Sequence, residues 1–336
     1  MILSFCVIAY NAEKTLPHLF SDLLQQDYPH NMIEVVLVDS VSTDKTKCIM
    51  QEFADNNDFL RVLVKNNPGH TLPCGWNVAL NNLKGDIVLR VDAHTSIPKD
   101  FISKNVRCIG DGKNICGGRV VSLQMEKNSW QDLLLSAENS MFGGSFALFR
   151  RSEKARYTST LAFAAYRKEV FDKVGYYNEN LARTEDNEMH YRMRQAGYKF
   201  YLDPTIISYR FSRSSLKKLS KQKYMNGYWI GLTMGVCPKC FSLFHFVPLL
   251  FIVAILISIV LGFCGYMIWT VLLWSTYGVT NLLMSMFAII KDKINIYSLL
   301  LPFIFFLLHI SYGVGTLVGL IKMPFWKNIL KISDKL

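Results

Sequence analysis

The C-terminal third of the chain has almost no charged residues. Phe241 to Ile290 is a run of fifty residues without Asp, Glu, Lys or Arg, and Ile294 to Ile321 is a second uncharged run. A helix needs about 20 apolar residues to cross the hydrocarbon core of a bilayer, so the first run is long enough for two such helices. These runs predict that residues 241–321 form two or three transmembrane or re-entrant helices. Residues 1–212 have the composition of a soluble domain.

The basic tail leaves the number of crossings open. Residues 322–336 carry Lys322, Lys327, Lys331 and Lys335. Three crossings would place this tail on the side opposite to the N-terminal domain, whereas the positive-inside rule favours the cytoplasmic side. Two crossings, followed by a segment that re-enters the membrane or lies at its interface, would satisfy that rule.

The segment before the first uncharged run is strongly basic, in a chain whose formal net charge is +11. Residues 213–240 contain no acidic residue, and their cations are Arg213, Lys217, Lys218, Lys221, Lys223 and Lys239. Leu216 and Leu219 are interleaved with the lysines, as in a helix that lies in the membrane interface. A basic segment beside a span suits the anionic cytoplasmic leaflet, so we expect contact with lipid and not with nucleic acid.

The first residues suggest a compartment for the soluble domain. Met1, Ile2 and Leu3 lead directly into a strand-like segment without a charged leader, so we expect the domain to stay in the cytoplasm, attached to a multi-pass anchor in the cell membrane. Thiols stay reduced there, and the eight scattered cysteines predict no disulfide framework. Cys237 and Cys240 form a lone CPKC pattern, which we interpret as small apolar residues at the membrane edge, with zinc as the alternative.

The soluble domain alternates strand-like and helix-like segments. Strands are predicted at 2–8, 34–39, 59–64 and 86–92, and helices at 15–26, from about Thr43, and at 73–82. This repetition predicts an α/β fold with a parallel sheet covered by helices. There is no GxGxxG or P-loop pattern to indicate a dinucleotide or Walker-type site.

Polar residues follow three of the predicted strands. Tyr10 and Asn11 follow the first, and Asp39 and Asp92 end the second and fourth. Ligands of open α/β sheets bind at the carboxyl ends of strands, so these side chains are predicted to converge on one crevice. Each could also be an ordinary turn residue.

Two further groups could carry chemistry. Asp92 and His94 stand two residues apart and could bind one divalent cation, for which a carboxylate favours Mg²⁺ and an imidazole favours Mn²⁺. Glu185, Asp186 and Glu188 cluster where a helix is predicted to begin. Acidic residues there stabilise the helix dipole, but a carboxylate in a cleft could also act as a general base.

The motifs together resemble those of a known family. CVIAYNAEKTL, VLVDSVSTDKT, LRVDAHT and TEDNEMHYRMRQAG are similar to the motifs of inverting family 2 glycosyltransferases, which have the GT-A fold. RSSLKKLSKQ, NGYW and HISYGVGTLVGL narrow the likeness to membrane-associated members of the succinoglycan or exopolysaccharide type. The resemblance implies a Rossmann-like, mostly parallel GT-A catalytic domain, followed by C-terminal transmembrane helices.

The resemblance also implies roles for individual residues. Asp186 would be the catalytic base, with Glu185 beside it, and Asp92 and His94 would replace the DxD motif of the family as metal ligands. The donor would be bound by Tyr10, Asn11, Asp39, Asn77, Arg90, Asp92 and Arg213. Ser40 departs from the family, in which many members have a second Asp. His190, four residues after Asp186 and so on the same helical face, is expected to serve the structure, with a place near the site as the alternative.

The implied reaction is a direct displacement with inversion. The hydroxyl of a polyprenyl-diphosphate-linked acceptor would attack a nucleotide sugar, presumed to be a UDP sugar, in exopolysaccharide or capsule synthesis. Lys217, Lys218 and Lys221 would hold the acceptor phosphates, and the glycines of residues 140–160 suggest a loop that moves over the acceptor. Two alternatives are a processive polysaccharide synthase, whose QxxRW pattern is absent, and a non-catalytic nucleotide-binding scaffold.

Overall fold

The computed structural model describes residues 1–124, 128–144, 147–212, 215–292 and 296–333, apart from the side chains of residue 292 and residues 327–333. The chain forms two compact units. Unit 1 comprises Met1–Ser122 and Ala147–Phe211, and unit 2 comprises Leu123–Phe146 and Ser212–Leu336. The insertion of 123–146 into unit 2 differs from the sequence analysis, which assigned all of residues 1–212 to one domain.

Strands and helices alternate through the first two thirds of the chain. In chain order they are β1 (Leu3–Ala9), α1 (Leu16–Leu24), β2 (Ile33–Asp39), α2 (Thr46–Asp55), β3 (Arg61–Asn66), α3 (Leu72–Asn82), β4 (Ile87–Asp92), β5 (Thr95–Ser96), α4 (Phe101–Gly110), β6 (Ile115–Leu123), α5 (Ser129–Asn139), β7 (Arg156–Thr158), β8 (Ala165–Arg167), α6 (Lys168–Val174), α7 (Glu185–Gln195) and β9 (Phe200–Phe211). The predicted strands and helices of residues 2–92 are therefore confirmed. The predicted helix start at the Glu185 cluster is confirmed as well.

The described strands form one mixed sheet. Their order is β3-β2-β1-β4-β8-β6-β9-β5, and β7 pairs with β9. The ladders between β1, β2, β3 and β4 are parallel, as predicted. β8 is antiparallel to β4 and β6, and β5 and β7 are antiparallel to β9.

Both faces of the sheet are covered by helices. One cluster of buried residues joins β1 to α1, α2 and α4, with Phe5, Leu19 and Phe101 among its members. The other joins the sheet to α3, α6 and α7, through residues such as Trp76 and Met189. Burial on both faces explains why β1 and β2 are nearly continuous apolar runs without polar alternation.

Near the amino end of β2, these apolar runs are interrupted by Glu34, which is 1% exposed. Its carboxylate accepts hydrogen bonds from Ser4 Oγ at 2.5 Å and from the backbone N–H of Lys84 at 2.8 Å, and it pairs with the guanidinium of Arg61. These contacts join β1, β2 and β3 to the loop before β4 at the amino ends of the strands. Glu34 therefore ties the parallel ladders together.

We predict that Glu34→Ala lowers the free energy of unfolding by about 3–5 kcal/mol, because it removes one partner of a buried ion pair and leaves buried donors unpaired. Thermal unfolding of the full chain in detergent would measure this loss. Glu52→Ala, at an exposed position of α2, is the control and should change stability little. Equal effects of the two substitutions would contradict the structural role of Glu34.

Unit 2 is built mainly from long helices. They are α8 (Leu216–Thr233), α9 (Val247–Phe263), α10 (Met267–Asp292) and α11 (Leu301–Ser333). Within the described residues, three helical stretches are long and apolar enough to cross a membrane: Leu243–Phe263, Met267–Lys291 and Ile296–Trp326. They coincide with the uncharged runs of the sequence.

α5 packs against these helices, which is why residues 123–146 belong to unit 2. Leu133, Leu134 and Ala137 of α5 share a buried cluster with Leu301 and Ile304 of α11. The apolar face of α5 is therefore covered by a candidate membrane helix.

The CPKC segment differs from its predicted chemistry. Cys237 and Cys240 are joined by a disulfide, whereas the remaining six cysteines are free. The short 3-10 turn Pro238–Cys240 brings the two Cα atoms to 5.7 Å, which is within the range that a disulfide spans. The expectation that all thiols stay reduced is wrong for this pair.

Glycines bring the backbones of α8 and α11 into contact. A Cβ atom on Gly315 would lie 2.1 Å from the carbonyl oxygen of Tyr224, and one on Gly227 would lie 2.1 Å from that of Tyr312. Gly227 and Gly231 on α8 and Gly315 and Gly319 on α11 each have the GxxxG spacing, which permits such close packing. α8 therefore packs along α11, and the interfacial placement of residues 213–240 stays a prediction.

We predict that Gly315→Ala destabilises the protein by about 1–3 kcal/mol, because the added methyl group overlaps the Tyr224 carbonyl and forces α8 and α11 apart. Gly278→Ala is the matched control, since a Cβ there meets no atom within 4 Å in α10. This control should gain up to about 1 kcal/mol from helix propensity. Thermal unfolding in detergent would compare them, and a neutral Gly315→Ala would refute the close packing.

Candidate active site

The registers of β1, β2 and β4 place the predicted donor residues at one edge of the sheet. Ala9 lies opposite Asp39, and Ile8 lies opposite Asp92. Tyr10, directly after β1, is 61% exposed, so its ring is accessible to a ligand. The three strand ends therefore meet as the sequence analysis expected, and the roles of their side chains in binding stay predictions.

The loop between β2 and α2 is held by two of these residues. Asp39 is buried and accepts a hydrogen bond from the backbone N–H of Ser42 at 3.2 Å. Asn11 donates its backbone N–H to Ser42 Oγ at 3.0 Å, and its side-chain oxygen accepts from the N–H of Thr43 at 2.8 Å. Asp39 and Asn11 thus shape the loop that would surround a nucleotide.

Strain accompanies this loop. Val41 has φ of +59°, in the left-handed region that β-branched residues rarely adopt. Ser40 before it accepts a hydrogen bond from Asn67 Nδ2 at 2.9 Å. Asn67 is fully buried, and its Oδ1 has no hydrogen-bond partner among the described residues. Asn67 was missed by the sequence analysis because it belongs to no recognisable motif, and Val41 was missed because its motif gives no sign of its backbone conformation.

Asp92 and His94 lie side by side at the end of β4. His94 Nε2 is 3.9 Å from Asp92 Oδ2, and both side chains are partly exposed. Two donors that each lie roughly 2.0–2.2 Å from one ion can be up to about 4.2 Å apart, so this pair fits a shared divalent cation. Among the described residues no cluster of three or more acidic, His or Cys side chains forms a complete metal site. Such a cation would need further ligands from a bound substrate or water.

Asn77 of α3 supports the loop that leads to α7. Its Nδ2 donates to the carbonyl oxygen of Tyr177 at 2.9 Å and to Glu179 Oε1 at 2.8 Å, while its Oδ1 accepts from the N–H of Tyr177 at 2.8 Å. The side chain is buried and engaged by these protein groups. Its assignment to donor binding stays a prediction.

Arg90 of β4 meets the acidic start of α7. Its Nη1 donates to Tyr177 Oη at 2.8 Å and to Asp186 Oδ1, and its Nη2 lies 3.9 Å from Glu185 Oε1. The guanidinium also stacks over Trp76, with Cζ 4.4 Å from the ring centroid. Residues almost a hundred positions apart thus form one buried charged cluster, and Trp76 and Tyr177 in it carried no signal in the sequence.

The two neighbouring carboxyl groups of this cluster differ in charge. Burial acts against ionisation of Asp186, but the nearby charge of Arg90 and its hydrogen bond lower the pKa of Asp186 below its ordinary value. Burial and the charge of Asp186 raise the pKa of Glu185 well above its ordinary value, against the weaker pull of Arg90. Of the two, Asp186 therefore ionises at lower pH, and Glu185 keeps its proton to higher pH.

The two carboxyl groups also differ in their solvent exposure. The side chain of Asp186 is 39% exposed, whereas that of Glu185 is 4% exposed. Glu188 takes no part in the cluster, because it forms an ion pair with Arg192 at 2.6 Å one turn along α7. Asp186 is therefore the member of the acidic group with the most exposed side chain.

His190 serves the structure, as expected. Its ring nitrogens contact Thr160 Oγ1 at 2.9 Å and Tyr166 Oη at 3.0 Å. Burial lowers the pKa of His190 to about 4, so the ring is neutral at physiological pH. It supports the packing of α7 against β8.

Two other predictions concern residues outside this cluster. Arg213 lies outside the described residues, and its placement near a diphosphate stays a prediction. Lys217, Lys218 and Lys221 are exposed on α8 in unit 2.

Protein contacts hold the first residues of the segment 140–160, and the predicted mobility of this loop stays a prediction. Phe142 O accepts from His309 Nε2 at 2.6 Å, and Gly143 O accepts from Lys223 Nζ at 2.5 Å. A Cβ on Gly143 would lie 1.8 Å from Ala137 O, so this glycine permits close packing and does not mark flexibility.

The chain is similar in sequence to known proteins. Residues 4–175 match the sequence profile of the family described as glycosyl transferase family 2. A Methanococcus voltae protein named dolichyl N-acetyl-alpha-D-glucosaminyl phosphate 3-beta-D-2,3-diacetamido-2,3-dideoxy-beta-D-glucuronosyltransferase is 24% identical over 326 residues, which cover 95% of this chain and 97% of that protein. Succinoglycan biosynthesis protein ExoA of Rhizobium meliloti (strain 1021) is 28% identical over 227 residues, 62% of this chain and 67% of ExoA.

A solved structure shares the fold. The mannosyltransferase PcManGT from Pyrobaculum calidifontis, in complex with GDP-Man and Mn²⁺, aligns with a TM-score of 0.59 at 15% identity, covering 94% of this chain and 86% of that one. The likeness confirms the GT-A-like α/β fold expected from the motifs. Because the family profile covers just over half of the chain, the protein belongs to glycosyltransferase family 2.

Proposed function

We propose that this protein is an inverting glycosyltransferase that moves a sugar from a nucleotide-sugar donor to a lipid-linked acceptor. The observation that carries the proposal is the contact between the accessible carboxylate of Asp186 and Arg90. Arg90 belongs to β4, the strand that ends at Asp92. The base and the candidate cation site are thus tied to one strand, β4. Membership of family 2 supports the transfer of a glycosyl group.

The donor would bind at the ends of β1, β2 and β4. Tyr10 offers an exposed ring for stacking on a nucleotide base, and Asp39 and Asn11 shape the loop around the ribose. We favour a UDP sugar, with Arg213 near its diphosphate. A Mn²⁺ or Mg²⁺ ion held by Asp92 and His94 would neutralise the negative charge that develops on the departing diphosphate.

The acceptor would react at Asp186. Its carboxylate takes the proton of the acceptor hydroxyl, and the oxygen forms a bond to the anomeric carbon as the bond to the nucleotide breaks. Attack from the face opposite the nucleotide inverts the anomeric configuration. Glu185, protonated and buried, does not compete for that proton.

A lipid-linked acceptor accounts for unit 2. The Methanococcus voltae relative is named for a dolichyl-phosphate-linked sugar, and three helices of this chain are long and apolar enough to cross a membrane. We place the protein in the cell membrane as a multi-pass protein with unit 1 facing the cytoplasm. Lys217, Lys218 and Lys221 would then contact the phosphates of a polyprenyl-diphosphate acceptor, as in exopolysaccharide or capsule synthesis.

We predict that Asp186→Asn lowers kcat for nucleotide release by about 10²- to 10⁴-fold, the range typical of a lost general base. Glu185→Gln is the matched variant, because glutamine resembles the neutral acid, and it should retain most of the activity. A panel of nucleotide sugars with a polyprenyl-diphosphate saccharide would provide the assay. Undiminished turnover by Asp186→Asn would remove this residue from the base role, and a polymeric product would favour a processive synthase.

We predict that chelation of divalent cations abolishes nucleotide release and that added Mn²⁺ restores it. His94→Asp should shift the preference from Mn²⁺ towards Mg²⁺, because a carboxylate is a harder ligand than an imidazole. Titration of nucleotide release with each ion would measure the preference, with Mn²⁺ binding followed in parallel by electron paramagnetic resonance. Full activity in chelator would contradict metal dependence.

A further inference from the structure

We infer that Arg90 is a positioning residue that fixes the orientation of Asp186 relative to the end of β4 and does not contact the donor. The inference depends on the proposed function, because it assigns to Asp186 the role of the base. This role differs from the one that the family resemblance implied, in which Arg90 binds the donor.

The surroundings of Arg90 leave its guanidinium little freedom. The residue is 8% exposed, and one face stacks over the Trp76 ring at 4.4 Å. Tyr177 Oη accepts from Nη1 at 2.8 Å, which orients the group towards Asp186 Oδ1. An aromatic face and a hydrogen bond together restrict the orientation of the planar guanidinium, so it aligns the carboxylate it contacts.

β4 connects this contact to the candidate cation site. Side chains two residues apart on a strand point to the same face, so Arg90 and Asp92 share one side of β4. Arg90 lies opposite Cys6 of the buried strand β1, and its backbone N–H donates to Ala164 O at 3.1 Å. A central strand hydrogen-bonded on both sides is rigid. It therefore sets the distance between the base and the cation site.

Arg90 also provides the positive charge next to the base. The titratable and charged groups around Asp186 are Arg90, Tyr177, Tyr166, Glu185 and His190, with Asp92 acting on Glu185. His190 is neutral, and Tyr166 and Tyr177 are kept neutral by burial, which raises the pKa of each phenol. Arg90 is thus the permanent cation within this set.

The two roles of Arg90 predict different kinetics. A donor contact would show as a higher KM for the nucleotide sugar. A positioning residue would leave that KM nearly unchanged and lower kcat, since misplacement of a catalytic group by about 1 Å can cost about 10²-fold. Removal of the cation would also raise the pKa of Asp186, so the acidic limb of the kcat–pH profile would move to higher pH.

The test compares Arg90→Met, Arg90→Lys and Tyr177→Phe in the full chain in detergent. We expect Arg90→Met to lose about 10²-fold in kcat and to shift the acidic limb upwards by about one pH unit, as expected for the loss of an opposite charge. Arg90→Lys should restore the position of the limb but only part of kcat. Tyr177→Phe keeps the charge and should lower kcat alone.

Arg61→Met is the matched control, because it removes an arginine that pairs with buried Glu34 at the amino ends of the strands. It should reduce stability and leave the acidic limb in place. The inference would be overturned if the Arg90 variants raised the KM for the nucleotide sugar and left the acidic limb of the kcat–pH profile unchanged. If Arg90→Met fails to fold, an Arg90→Lys and a Tyr177→Phe variant that both retain wild-type kcat would overturn it as well.

A double variant separates this inference from the proposed function. If Arg90 acts through Asp186, Arg90→Lys combined with Asp186→Asn should be no slower than Asp186→Asn alone. If the losses in kcat of the two single variants multiply in the double variant, Arg90 does not act through Asp186, and the role of Asp186 as the base is unaffected. Wild-type turnover by Asp186→Asn would instead refute the proposed function, whatever the Arg90 variants show.

Discussion

β1 forms parallel ladders on both of its sides, with β2 and with β4, and the flanking helices bury each of its residues from Leu3 to Ala9. Parallel ladders align strand ends, so Tyr10, Asp39 and Asp92 meet at one edge because of the register and not because of any contact among themselves. An apolar central strand has one stable alignment, since a shift by one residue would exchange the side chains between its two faces. The geometry of the candidate site therefore depends on hydrophobic burial a few residues away.

The protein buries a glutamate at both ends of this sheet, with different results. At the amino ends, Glu34 is enclosed by donors from three segments, and the arrangement stabilises the fold. At the carboxyl ends, Glu185 is almost as buried, but its Oε2 has no hydrogen-bond partner among the described residues. A buried carboxyl oxygen without a hydrogen-bond partner lowers the stability of the fold, and such groups are typical of functional sites.

Much of unit 1 follows from short-range patterns. Uninterrupted apolar runs bounded by polar turns indicated the first four strands, and the acidic cluster indicated where α7 begins. The resemblance implied that Arg90 binds the donor, and nothing in the sequence indicated its contact with Asp186, which lies 96 positions later and meets Arg90 only in the folded sheet. The same limit applies to α5, whose apolar face gives no sign of which helices cover it. The glycines at 143 and 144 suggested flexibility, because the sequence does not show that Gly143 packs against the Ala137 carbonyl or that its own carbonyl accepts a hydrogen bond from the distant Lys223.

The insertion of residues 123–146 into unit 2 means that the polypeptide passes between the units at three points, after residues 122, 146 and 211. A soluble fragment obtained by ending the chain at residue 211 would keep α5 but remove Leu301, Ile304 and Phe305, which cover its apolar face. Leu133, Leu134 and Ala137 would then be exposed to water, and such a fragment would be prone to aggregate. Crystallisation or screening of unit 1 alone therefore calls for an internal deletion that bridges residues 122 and 147, in addition to truncation.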